Sequence, residues 1–319
     1  MVETRGVYDR WIVAHILFAA TRAGIVRVTE QEAGAWRAES LLAGQDVCCL
    51  AGAGAAVYAG TQEGAVYRSQ DSGRSWSAAG FLGAAVKSLA VAAGAVYAGT
   101  KEPRVHVSRG GGDSWRPLAR FARVRSWWWA QPAERPFRPS YVSALVVTGE
   151  PIIAGIEACG IFCSTDGGRT WSEHRRAALR DCHELLAGGG SVYEAGSGGL
   201  AASSDGGRTW TRRREGLDRR YGWSVAFGGE TLYLAVAPYR FAHGGNSRAR
   251  VFRSRGGKPW QPCTDELPSL PRLRAVDGVV FSALGDGTLL CSTDRGDTWK
   301  RLPVSLGGPS RALIALNRA

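Results

Sequence analysis

Hydrophobic and polar positions form short runs that repeat along most of the chain. In one unit the runs "KSLAVA", "AVYAGT", "RVHVSR" and "SWRPLA" follow each other, separated by turn-like or glycine-rich stretches. Runs of this length, alternating or wholly apolar and bounded by glycine, predict antiparallel strands. Each unit therefore reads as four short strands.

A tryptophan near the end of each unit gives the period of the repeat. A spacing of about 40 residues predicts an array of four-stranded blades. Two gaps are longer and carry insertions at about 121–141 and 237–250. The seven anchors are Trp36, Trp76, Trp115, Trp171, Trp210, Trp260 and Trp299.

The two ends of the chain carry strands that lack the rest of a unit. "ILFAAT" near the start reads as a second strand without a first, and "RALIALN" at residues 311–317 reads as a first strand without a second. Pairing these two strands would close a ring and leave no exposed blade edge. We therefore predict an all-β, seven-bladed β-propeller forming a single domain over 1–319, whose C-terminal strand completes the N-terminal blade.

One motif accompanies the tryptophans. "STDGGRTW" and "SSDGGRTW" differ in one letter, and "SQDSGRSW" and "STDRGDTW" are further copies. Aspartate can cap the backbone N–H groups of a tight turn, glycine adopts positive φ there, and tryptophan wedges into apolar space. The pattern resembles the BNR or Asp-box repeat of sialidase-like propellers, and in particular uncharacterised bacterial single-domain members.

This resemblance implies that the boxes lie on the hairpin joining the third and fourth strands, on the face away from a ligand site. The four aspartates are then turn formers and not catalytic carboxylates: Asp71, Asp166, Asp205 and Asp294. Sialidases of this type use a six-bladed ring with an arginine triad, which cannot be placed here. Xyloglucanase-type glycosidases pair two propellers, whereas photosystem II assembly propellers are single and carry an arginine patch.

Composition and charge narrow the setting. The net charge is +12, and only four of the 40 basic residues are lysine. Arginine suits carboxylate and phosphate ligands, although codon bias alone could raise its content. The seven cysteines are odd in number and contain no CxxC pair, which favours reduced thiols in the cytoplasm. No apolar run is long enough to span a membrane, and we expect no specific nucleic-acid binding.

The expected functional face is the channel mouth, formed by loops that enter the first strands and loops that join second to third strands. Arginines and aromatic residues cluster on three of these loops, which predicts a pocket for a small anionic or aromatic ligand or for an acidic protein surface. The three tryptophans of the first insertion could instead pin that loop to the rim. The candidate ligand-binding residues are Trp127, Trp128, Trp129, Arg135, Arg138, Tyr141, Arg219, Arg220, Tyr221, Trp223, Tyr239, Arg240 and His243.

Two ionisable residues could perform chemistry at this mouth. Glu157 lies in the turn "AGIEACG", and His183 lies in "RDCHELL" at the entry of the next blade. A histidine and a carboxylate can act as an acid–base pair, so the alternative function is a lyase or hydrolase. The sequence requires no cofactor, but a divalent metal could bind there. Whether the protein is an enzyme stays open at this stage, as does the structural alternative in which His183 only caps a strand.

Overall fold

The computed structural model describes residues 15–31, 34–121, 140–174, 178–242 and 246–317. Within these ranges the strands form seven antiparallel sheets of four strands each. Each sheet is one blade of a β-propeller, as the sequence predicts. In the same ranges, no helix has the length and apolar character needed to cross a lipid bilayer.

The strand bounds follow the four-run units of the sequence. Blades I to III contain β1 (His15–Thr21), β2 (Gly24–Glu30), β3 (Trp36–Leu41) and β28 (Ala312–Asn317); β4 (Val47–Ala53), β5 (Ala56–Thr61), β6 (Ala65–Ser69) and β7 (Ser77–Phe81); β8 (Val86–Ala92), β9 (Ala95–Thr100), β10 (Val105–Ser108) and β11 (Arg116–Pro117).

The remaining blades repeat this order. Blades IV to VII contain β12 (Val142–Val147), β13 (Ile152–Ile156), β14 (Gly160–Ser164) and β15 (Ser172–His174); β16 (Cys182–Gly188), β17 (Ser191–Gly196), β18 (Gly199–Ser203) and β19 (Thr211–Arg213); β20 (Tyr221–Gly228), β21 (Thr231–Ala237), β22 (Arg250–Arg255) and β23 (Gln261–Pro262); β24 (Arg272–Val276), β25 (Val279–Ala283), β26 (Thr288–Ser292) and β27 (Lys300–Ser305).

The ring closes through the first blade. Strand β28 pairs with β1 in antiparallel register, with Ile16 opposite Leu316 and Phe18 opposite Ile314. The first strand of each blade contacts the first strand of the next, and β28 contacts both β24 and β4. The predicted closure is therefore confirmed, and the seven first strands surround the central axis.

The apolar core lies between blades. Among the described residues, seven clusters of buried side chains each join one pair of adjacent blades. In the cluster between blades I and II, for example, Phe18 of β1 packs with Val47 of β4 and Val57 of β5. Burial of this kind is the main stabilising term of folding, so each blade depends on its two neighbours.

The repeated motif forms a hydrogen-bonded turn between third and fourth strands. In blade IV, Asp166 accepts hydrogen bonds from the backbone N–H and the hydroxyl of Thr170, at 2.8 and 2.6 Å. The buried hydroxyl of Ser164 donates to Asp166 and accepts from the N–H of Gly168, at 2.9 and 2.8 Å. The indole N–H of Trp171 donates to the carbonyl of Gly168.

The aspartate and serine side chains of the other three well-preserved boxes make the same contacts. Asp71, Asp205 and Asp294 each accept bonds from the residue four positions later, through both its N–H and its hydroxyl. These bonds hold the pKa of each of the three carboxyl groups below its usual range. In an antiparallel blade, the hairpin between third and fourth strands lies at the opposite end from the turn between second and third strands. The boxes therefore lie on one face of the ring, and the loops that frame the channel mouth lie on the other.

Candidate functional site

The channel mouth is shaped by a recurring irregularity in the first strands. In β4, β8, β12, β16 and β20 the pairing register shifts by one residue near the strand start, which leaves one residue per strand without a partner on the second strand. Such β-bulges bend a strand and change the direction of a side chain. The five bulged residues are Cys48, Lys87, Ser143, His183 and Trp223.

All five bulged residues line the same cavity. Its volume is about 410 Å³, and Tyr141, Glu157, Arg272, Arg274 and Arg311 contribute further walls. We call this space, lined by these ten residues and their neighbours on the first strands, the mouth cavity. It lies on the face opposite to the Asp-boxes.

Two of the basic side chains in the mouth cavity are neutralised by acids. Arg274 forms an ion pair with Glu184 at 2.5 Å, and Glu184 also accepts a bond from the hydroxyl of Ser224. Arg311 forms an ion pair with Asp46 at 2.6 Å. These pairs join neighbouring parts of the ring and leave little charge for a ligand.

The other two basic side chains form no ion pair with an acid among the described residues, although the charges of Glu184 and Glu157 act on Arg272. Lys87 donates to the amide oxygen of Gln62 at 2.6 Å. Arg272 lies over the ring of Trp223 at 4.4 Å, and its buried Nε has no hydrogen-bond partner. Burial lowers the pKa of Arg272, because removal from water disfavours its charged form. An anion in the cavity would offset that cost.

A third group, at the cavity wall, contains one imidazole and two carboxylates, of which His183 and Glu157 line the cavity. One ligand atom each from Glu157, Asp181 and His183 lie within 4.8 Å of one another, a grouping that could hold a metal ion. Glu157 lies in the turn between β13 and β14, whereas His183 lies in β16 of the next blade. Neighbouring blades therefore bring the two sequence-predicted ionisable residues together in one cavity.

Both ring nitrogens of His183 face acceptors. Nδ1 lies 2.6 Å from the carbonyl oxygen of Gly222, and Nε2 lies 3.1 Å from Oδ2 of Asp181. Burial opposes the charged imidazolium, but the hydrogen bond and charge of Asp181 outweigh it, and the pKa of His183 is raised. When the ring is protonated on both nitrogens, it can accept a proton from a ligand only after Nε2 loses the proton that it shares with Asp181.

Of the two carboxyl groups in this cluster, Glu157 has the higher pKa. Burial raises its pKa to about 7, and the negative charge of Asp181 adds to the effect. The hydroxyl of Tyr141 shares a hydrogen bond with Glu157, and burial also raises the pKa of that hydroxyl. Tyr141 is therefore a neutral donor beside a carboxyl group that titrates near neutrality.

Three of the predicted aromatic residues form a continuous group next to His183. The ring of Tyr221 lies 4.6 Å from the imidazole, and that of Trp223 lies 5.1 Å from it, measured between centroids. Tyr239 makes an edge contact with Tyr221 and is itself 72% exposed. This group extends from the cavity wall to the protein surface.

Two of the predicted arginines, Arg219 and Arg220, do not line the mouth cavity. Arg219 is buried, and its guanidinium group binds Asp218, Glu266 and the carbonyl oxygen of Arg248. Arg220 is exposed to solvent. Arg219 thus ties its own loop to the second insertion, a structural contact that residue type alone does not reveal.

Several predicted site residues cannot be placed. The side chain of Arg240 lies outside the described part, although its backbone belongs to a short 3-10 turn at Tyr239–Phe241. The remaining residues outside the described ranges are Trp127, Trp128, Trp129, Arg135, Arg138 and His243.

Four basic residues of the cavity were missed by the sequence reasoning, although a signal for them exists. Lys87, Arg272, Arg274 and Arg311 all lie in or just before strands that the repeat identifies as first strands. First strands surround the axis, so any charged residue near their start is a candidate for the cavity. The basic ligand-binding candidates predicted from the sequence all lie on predicted loops, so these four residues were not among them.

Comparison with known proteins supports the fold. Residues 162–173 match the model of the BNR/Asp-box repeat family. No curated protein sequence matches the chain significantly. Among solved structures, YCF48 bound to D1 peptide has a TM-score of 0.61 at 16% identity, over 85% of this chain and 86% of that one.

Two glycoside hydrolase structures are also similar. An ancestral GH74 enzyme has a TM-score of 0.56 at 17% identity, over 85% of this chain and 38% of that one. The GH74 enzyme of Niastella koreensis has a TM-score of 0.59 at 14% identity, over 93% and 65%. The chain thus spans less than two thirds of either enzyme, and at these identities the likeness concerns the fold alone.

Proposed function

We propose that this chain, a seven-bladed β-propeller of the BNR/Asp-box type, binds an anionic ligand with an aromatic or planar part in its mouth cavity. The observation that carries the proposal is the pair of basic side chains that form no ion pair with an acid among the described residues, Lys87 and Arg272. Each would form a charge-assisted hydrogen bond with an anion, worth about 1.5–3 kcal/mol.

The surroundings of these two residues fit such a ligand. Trp223 already stacks under the guanidinium group of Arg272, and Tyr221 and Tyr239 continue the aromatic surface outward. A planar group could extend this stack while its anionic group meets the two cations. His183, whose pKa is raised by Asp181, lies in the same wall.

The ligand could be a free small molecule or an acidic segment of a protein partner. One similar propeller has been solved with a peptide bound, YCF48 with D1 peptide, which supports the second source. Tyr239, in edge contact with Tyr221, is exposed to solvent and would be accessible to either source.

Binding of phenyl phosphate, measured by calorimetry in the presence of EDTA, tests this proposal. We expect wild-type protein to bind phenyl phosphate more tightly than inorganic phosphate and not to bind phenol. Replacing Lys87→Gln or Arg272→Gln should weaken binding by about tenfold or more, because each removes one charge-assisted bond.

The matched control is Arg301→Gln, at an exposed arginine of β27, the strand of blade VII that lies farthest from the first strand β24. It removes the same charge from the protein and should leave affinity unchanged. Equal losses in the control and in the cavity variants would mean that net charge, and not the mouth cavity, holds the anion. A set of acidic peptides in the same assay distinguishes a protein partner from a small molecule.

A second candidate function is acid–base catalysis in the same cavity, as a lyase or hydrolase. The observation that favours it is that Glu157 and His183 converge there, as a catalytic pair requires. Against it, both His183 nitrogens face acceptors, so the contact with Asp181 must break before the ring can act as a base. We therefore place binding first.

Release of 4-nitrophenol from 4-nitrophenyl phosphate, acetate and glycosides tests the catalytic alternative. An enzyme that uses this pair should lose on the order of 10²–10⁴ in rate on His183→Ala. A binding protein should show no turnover and keep most of its affinity for phenyl phosphate in that variant. A cytoplasmic location is part of the same proposal, and it is supported by the odd number of cysteines.

A further inference from the structure

We propose that Glu157, Asp181 and His183 bind a divalent transition-metal ion, Zn²⁺ in the first place, in the wall of the mouth cavity. The three side chains each offer one ligand atom, and these atoms lie within 4.8 Å of one another. They come from two blades, so the ring geometry and not a local sequence motif brings them together. Ligand atoms at about 2.0–2.2 Å from one tetrahedral ion lie roughly 3.3–3.6 Å apart, so binding would draw the three side chains slightly together.

The orientation of the imidazole carries the argument. The carbonyl oxygen of Gly222 can only accept, so Nδ1 of His183 holds a proton and donates it at 2.6 Å. Nε2 is then the atom directed at Oδ2 of Asp181, 3.1 Å away. A nitrogen lone pair and a carboxylate oxygen face each other favourably only with a cation between them. A proton is one such cation, and a metal ion is the other.

The contact to Gly222 is the kind of support that metal-binding histidines use. A backbone carbonyl that accepts from one ring nitrogen fixes the tautomer and the ring plane, and directs the other nitrogen at the metal. The side chain of His183 is only 2% exposed, so the ring cannot turn freely to another orientation.

The two carboxylates are held in place in the same way. Asp181 accepts bonds from the hydroxyl of Ser197 at 2.6 Å and from the N–H of Ala158 at 3.2 Å. Tyr141 shares a hydrogen bond with Glu157. Asp181 pairs with His183, but among the described residues neither carboxylate forms an ion pair with lysine or arginine, so no such side chain competes with a bound cation.

The donor set indicates the class of metal. One imidazole nitrogen and two carboxylate oxygens suit Zn²⁺ and its first-row neighbours, whereas Mg²⁺ and Ca²⁺ prefer oxygen ligands alone. Three protein ligands leave at least one coordination position open. That position faces the mouth cavity, so an anionic group held there could complete the shell.

Metal titration of the full chain, stripped with EDTA and dialysed, tests the inference. We expect one Zn²⁺ per chain by calorimetry, a higher melting temperature with Zn²⁺, and no comparable effect of Mg²⁺. The variant Tyr141→Phe removes only the bond to Glu157 and should weaken Zn²⁺ binding by about 10–100-fold. The variants Glu157→Gln, Asp181→Asn and His183→Gln should weaken it more.

Cys48→Ser is the matched control, because Cys48 offers a thiol to Zn²⁺ in the same cavity. It should bind Zn²⁺ as the wild type does. The absorption spectrum of the Co²⁺ form needs no variant: oxygen and nitrogen ligands give visible d–d bands without thiolate charge transfer. Absence of Co²⁺ and Zn²⁺ binding in wild type, or loss of binding in Cys48→Ser with retention in the other variants, would overturn the proposal.

Discussion

Glu194 is a buried acid that does not line the mouth cavity. It lies in β17 and is fully buried, with Oε2 accepting from the N–H of Leu179 at 2.7 Å and Oε1 without a hydrogen-bond partner. Burial raises its pKa to about 8, while the bond from Leu179 and the charge of Arg212 oppose the shift. Folding therefore keeps this carboxyl group protonated well above the ordinary value.

This burial makes the stability of the protein depend on pH. As pH rises from the ordinary glutamate value to about 8, the unfolded chain releases the Glu194 proton and the folded chain keeps it. Stability is lost over that window, because the folded state binds more protons. We expect Glu194→Gln to have a higher melting temperature than wild type at pH 8 and a smaller difference at pH 5.

The exposed Glu230→Gln is the control, and it should follow the wild-type curve at both values. If the melting temperatures of wild type and Glu194→Gln changed by the same amount between pH 5 and pH 8, Glu194 would ionise normally in the folded protein.

Single residues also mark how far sequence reasoning reaches. It placed Glu157 and His183 on one rim because the repeat fixed which strand and turn each belongs to, and the structure has both in the mouth cavity. It did not give the direction of the Lys87 side chain, because a β-bulge depends on pairing between two strands and leaves no signature in either strand alone. Arg219 misled it because a guanidinium group serves a loop contact as well as a ligand.

At the scale of elements, glycines in second strands allow adjacent blades to meet. A Cβ atom on Gly60 of β5 would lie 2.5 Å from Cγ1 of Val86 in β8. A Cβ atom on Gly155 of β13 would likewise lie too close to the side chain of Cys182 in β16. Both contacts join the second strand of one blade to the first strand of the next, in the cores that hold the ring together.

We expect Gly60→Ala and Gly155→Ala each to lower the free energy of unfolding by about 1–3 kcal/mol, the usual cost of overpacking a core. Their effects should add, because the two blade interfaces share no contacts. Gly308→Ala, where an added methyl group meets nothing within 4 Å, is the control. Chemical denaturation measures the free energy of unfolding of each variant. If Gly60→Ala left that free energy unchanged, the two blades could move apart at little cost.

The strands were largely predictable because a unit of four short runs repeats with a nearly fixed period. The exceptions are fourth strands such as β11 and β23, which have two residues each. Their blades have degraded boxes in the sequence. Several arginines that the sequence could not assign also act between elements: Arg68 donates to the carbonyl of Gly111, and Arg253 to that of Arg295, each in the box turn of the following blade.

At the scale of the whole molecule, stability depends on the closure of the ring. Deleting residues 310–319 removes β28 and leaves β1 paired with β2 alone. We expect this variant to lose cooperative thermal unfolding and to bind a hydrophobic dye, because an apolar blade edge becomes exposed. Deleting residues 318–319 alone keeps β28 and is the control. An unchanged melting temperature in the longer deletion would contradict the closure.

The pairing of β1 with β28 also sets an order of events during synthesis. At about 5–20 residues per second, roughly 15–60 s pass between the emergence of β1 and that of β28 from the ribosome. Blades II to VII can each pair their own four strands as they appear, but the blade made earliest must wait for its innermost strand. The nascent chain thus carries an unfinished sheet throughout translation, and that sheet is the part of the molecule on which a ribosome-bound chaperone would have most to act.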